Sequence, residues 1–252
     1  MKKVLIGIGV LLVIAAVAIT LVVENLDTLI KKGIETAGPA ILQAEVKVDK
    51  VAISLSSGSG ELDGFMVDNP VGFTTPYAFD MDRIKIQLDP KSVTTDTVHI
   101  KQILIEGPKI NYEGAIGKSN LNQLQANAEA YIAKRGGTKE KVAKKEKPGK
   151  AVIIDSLKII GGEASLSMNL LQGKKVTVPL PEIEMKDIGK EQETSFAGVL
   201  KAVLTEVNRS LVPVIQSKLS NLALPGALQQ GTSKVQQETQ KGLDKFKGIL
   251  GK

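Results

Sequence analysis

Apolar positions along this chain run unbroken at first, then recur at helical spacing, then alternate, and these changes of period divide it. Val4–Val23, VLIGIGVLLVIAAVAITLVV, carries no charge. At about 1.5 Å per residue it can cross a bilayer core of about 30 Å. Lys2 and Lys3 precede it and Glu24 and Asp27 follow, which predicts a cytoplasmic N-terminus with the rest exported. A cleaved secretory signal is the alternative, with Ala16-Val17-Ala18 as its small-x-small site. Cleavage there would leave Ile19–Val23 as an apolar terminus, so an uncleaved anchor is preferred. Leu26, Leu29, Ile30 and Ile34 then share one stripe of a short helix over Leu26–Ala37, which Gly38-Pro39 is expected to end. That helix would lie on the bilayer or cap the sheet that follows.

From Glu45 the period is two. Val46 and Val48 alternate, then Val51, Ile53 and Leu55 do so one register later, predicting a bulge or bend near Asp49-Lys50. Ser57–Gly60 and Asn69-Pro70-Val71-Gly72 are turn signals, and Ile84, Ile86, Leu88, then Ile100, Ile103, Ile105, then Ile110 and Tyr112 continue the alternation. Short strands joined by tight turns predict an antiparallel sheet with one dry face. Leu121, Leu124, Ala128 and Ile132 mark a helix over Ser119–Ala133. A flexible, Lys-rich linker at 134–150 separates a second strand set with Ile154, Leu157, Ile159, Leu166, Val176, Val178 and Ile183. Ser195–Leu211 is the clearest amphipathic helix, and Pro213 is expected to kink or end it. The fold class expected is α+β: an N-terminal transmembrane helix, then a curved, mostly antiparallel β-sheet with flanking amphipathic helices. Its parts are an anchor (1–23), a first β-rich half with helices (24–133), the linker (134–150), a second half with its helix (151–222) and a polar basic tail (223–252).

Two stretches align without gaps, His99–Gly114 and Ile153–Met168. Ile100 matches Ile154, Ile103 matches Leu157, Ile105 matches Ile159 and Gly107 matches Gly161. Leu62–Pro70 is a weaker third copy. Each reads as strand, Gly turn, strand, so the expectation is a sheet extended by repeated hairpins.

Charge and composition narrow the chemistry. The formal net charge is +6, and 134–150 alone carries a net +6, so no folded face is marked as a phosphate-tracking surface and no nucleic-acid partner is expected. The linker reads as a solvated tether, with contact to anionic headgroups as the alternative. There is no Cys and one His, His99, which lies in a strand pattern, so neither a zinc site nor a cysteine nucleophile can be assembled. No GxSxG elbow surrounds a serine, and the glycines of Ser57–Gly64 lack the GK[ST] ending of a phosphate loop. Glu182, Glu184 and Asp187 read as a solvated strand face. No catalytic, cofactor or metal residue is assigned. The candidate working surface is the apolar sheet face, Val51, Ile53, Leu55, Ile84, Ile86, Leu88, Ile103, Ile105, Leu157 and Ile159.

The anchor followed by LIKKGIETAGPAI (29–41) and VDKVAISLSSGSGELDGFMVDNPVGF (48–73), with the NP-x-GF turn of Asn69, Pro70, Gly72 and Phe73, resembles the AsmA-like family of bacterial envelope proteins. The IEGP-x-I-x-YE segment (Ile105–Glu113), the SNL helix start and the second half from Val152 carry the likeness on to about residue 220. The resemblance implies a single-pass inner-membrane protein with a periplasmic domain, whose sheet holds or hands on phospholipid. A larger envelope protein or a second copy is a further candidate partner, and a non-catalytic assembly role is the alternative. Ten or so strands at about 4.8 Å each would make a groove of roughly 50 Å, too short to bridge an envelope alone.

Overall fold

The computed structural model describes residues 25–136, 150–171, 173, 175–191 and 194–222. The anchor expected over Val4–Val23, most of the basic linker and the tail beyond Leu222 lie outside them. Among the described residues no helix is long and apolar enough to cross a membrane.

Helix α1 (Leu26–Leu42) leads into β1 (Val46–Ser54), β2 (Ser59–Val67), β3 (Phe79–Leu88), β4 (Thr97–Glu106), β5 (Lys109–Ala115) and the short β6 (Lys118–Ser119). Helix α2 (Asn120–Gly136) follows, then β7 (Ala151–Ile160), β8 (Glu163–Ser167), β9 (Val176–Pro179), β10 (Ile183–Ile188) and helix α3 (Phe196–Asn221). All ten strands join one curled, half-barrel sheet, so the two strand sets flanking the linker share a single layer. The sheet is mostly antiparallel, with two parallel pairings, β4 with β7 and β5 with β8.

Those parallel pairs are the two aligned stretches lying side by side. Ile100 pairs with Ile154, Ile103 with Leu157 and Ile105 with Ile159. The expected hairpins are absent. Instead β4 runs through Gly107-Pro108 into β5 as one bent path, and β7 runs through Gly161-Gly162 into β8. A Gly at each break had suggested reversal. It supplies a positive φ, +61° at Gly107 and +66° at Gly161, that bends the strand while the neighbouring chain keeps pairing. Gly64, at φ +61°, does the same in β2.

These bends align into a crease. The row Val51–Leu62–Ile84–Ile105–Ile159–Ile183 crosses six strands by direct pairing. Gly64, Gly107 and Gly161 each lie two residues beyond their member of that row. On the far side a second row, Val46–Val67–Phe79–Ile110–Ala164–Val178, crosses the same sheet. Between the two rows inward-facing parity flips, which is the register change expected at Asp49-Lys50, here repeated strand by strand. Every member of both rows is at most 8% exposed. Burial of this kind stabilises by about 1.5–3 kcal/mol per large side chain.

Two helices outrun the breakers placed on them. Helix α1 continues past Gly38-Pro39 to Leu42, because Ile41 and Leu42 belong to the core and Gly38 lets the helix approach β1. A Cβ at Gly38 would lie 2.7 Å from the Val46 side chain. Helix α3 passes through Pro213, which faces solvent, while Leu204, Val207, Leu211, Ile215 and Leu219 form an unbroken buried stripe. Packing of that stripe outweighs the one backbone bond the proline removes.

Candidate functional site

The concave face is built from the inward side chains of six strand paths and is filled unevenly. Of the ten apolar residues named from the sequence, Val51, Ile84, Leu88, Ile105, Leu157 and Ile159 are buried. Ile53, Leu55, Ile86 and Ile103 are half-buried. Three of these share one row, since Ile53 pairs with Gly60, Gly60 with Ile86, and Ile86 with Ile103, whereas Leu55, expected in the strand, lies in the turn after β1. Gly60 is buried, and Ile53 Cδ1 fills the space beside it, 2.7 Å from where a Cβ would lie. The row lies one residue from the end of β1, while β4 and β7 extend beyond it past buried Leu88 and Ile154. Helix α3 contacts β7, β9 and β10, and the inner residues of β7 beneath it are sealed. A sealed core and a half-open row therefore share one sheet face.

Helix α1 guards the β1 edge beside this row. Asp27 Oδ1 accepts the Ile53 N–H at 2.8 Å, Lys31 Nζ donates to the Asp49 carbonyl at 2.9 Å, and Glu35 Oε1 accepts the Val48 N–H at 3.3 Å. Spacing of four residues puts the three on one helix face, so polar side chains bond to the free edge of a strand. Of the two roles open to this helix from sequence, sheet-capping is the one seen. At the other edge β9 and β10 are four and six residues long, Pro179 and Pro181 lie along it, and Asp187 has φ +57°. That edge is a poor template for a further strand.

The NP-x-GF turn sits at the opposite end, between β2 and β3. Asn69 Nδ2 donates to Thr75, Asn120 Nδ2 donates to Asn69 Oδ1, and Glu113 accepts from the backbone N–H and the hydroxyl of both Thr74 and Thr75 at 2.7–3.0 Å. Burial pushes the Glu113 carboxyl up, and the Thr75 and Thr74 bonds outweigh it, so the group titrates below the usual glutamate value. Pro70 is buried, Phe73 half-buried, and Gly72 has φ +102°. Val71 stands 99% exposed at the tip.

Polar groups elsewhere are paired with one another. His99 Nε2 lies 2.9 Å from Asp155 Oδ2, whose carboxyl is held low by His99 and by Lys190, 3.1 Å away. Glu184 pairs with Lys186 and Lys158, whereas Asp187 turns to Lys190, so the acids noted on this strand do not form one face. A cleft of about 500 Å³ opens between the end of β10 and the start of α3, lined by Lys186, Asp187, Gly189, Glu191, Thr194 and Gly198 among others. Charged side chains and glycines share its lining with Ile188 and Ala202. Among the described residues no three His, Asp or Glu side chains converge as a metal site.

Sequence reasoning missed the crease, the edge ladder of Asp27, Lys31 and Glu35, and the Glu113 network. The first two had a signal: an apolar-x-Gly step at Leu62, Ile105 and Ile159, and polar residues four apart on a helix already identified. Glu113 and Thr74 are 39 residues apart, and nothing local links them. Compared with protein families, with individually characterised proteins and with solved structures, the chain matches none.

Proposed function

We propose that this chain is a non-catalytic, single-pass inner-membrane protein of AsmA-like type, its domain in the periplasm, which holds the acyl part of a phospholipid at the half-open row of its sheet. The observation that carries this reading is that Ile53, Ile86 and Ile103, in one row with buried Gly60, are half-buried where the neighbouring row is sealed. Six strand paths at about 4.8 Å span roughly 25 Å, and both edges are blocked. The lipid contact is therefore local, without a long bridging groove. Protein stripped of lipid and mixed with a fluorescent phospholipid should retain it above a control domain, and Ile103→Gln should lower retention. Equal retention by protein and control would rule the reading out.

The filled remainder of the face favours a second reading, an assembly factor in which the sheet is only a core. It predicts a protein partner recoverable by crosslinking at Val71 and no lipid retention.

A further inference from the structure

We draw no further inference here: the strongest candidate, the surface turn at 69–75 that carries Val71 99% exposed on a loop fastened by Glu113 and Asn120, is an apolar patch, and nothing in the structure shows what covers it.

Discussion

Glu113 shows how a single carboxylate can fix a loop. It accepts from the amides and hydroxyls of Thr74 and Thr75, and Asn120 ties the other side of the same turn to Asn69. Because its folded pKa is depressed, its contribution is fully present above the ordinary carboxylate range and is lost as pH falls through the folded value. Glu113→Gln should cost roughly 1–3 kcal/mol at neutral pH. The gap to the parent, measured by denaturant unfolding, should close as the solution is acidified below that value. A gap that stays constant with pH would show that the charge is irrelevant. Both halves of this contact stood out in the sequence as separate motifs, the NP-x-GF turn and the segment ending at Glu113. Their meeting did not, since it depends on β5 pairing with the first residues of β3.

At the scale of elements, the crease makes unequal demands on its glycines. A Cβ at Gly107 meets no atom within 4 Å, so Gly107→Ala carries only the left-handed backbone cost, about 1–2 kcal/mol. At Gly64 the Cβ would also fall 2.1 Å from Asp49 Oδ2, so Gly64→Ala should destabilise more. Comparable unfolding midpoints for the two would refute this account. At the β1 edge, Asp27→Ala removes the acceptor of the Ile53 amide. Hydrogen exchange at Ile53 should accelerate, while amides of β7, in the interior of the sheet, stay protected. Helix α1 was legible as an amphipathic stripe. Its length was not, because Ile41 and Leu42 hold the helix past a proline that local rules treat as a stop.

For the molecule as a whole, the parallel pairing of β4 with β7 and β5 with β8 binds the parts on either side of the linker. Proteolytic nicking between Lys139 and Lys147 should therefore give two fragments under denaturing conditions and one species under native ones. Fragments that separate natively would mean that the paired strands do not hold the sheet together. Blocked edges also bear on assembly: with α1 on β1, and with Pro179 in β9 and Pro181 just after it, growth by strand addition is disfavoured. Any partner is expected at the ends of the half-barrel.

Alternation of apolar residues determined by itself where strands lie and which side of each is dry, because side chains in extended backbone must point alternately to two faces. Ile84, Ile86 and Leu88 needed nothing more, and neither did the helical stripe from Leu204 to Leu211. Only the tertiary structure decided that three glycines bend their strands instead of reversing them, and that repeated stretches lie parallel side by side. It also decided that the dry face is sealed at Ile105 yet half-open at Ile103. Such choices follow from what packs across from each residue, and a one-dimensional pattern carries no record of its neighbours across the sheet.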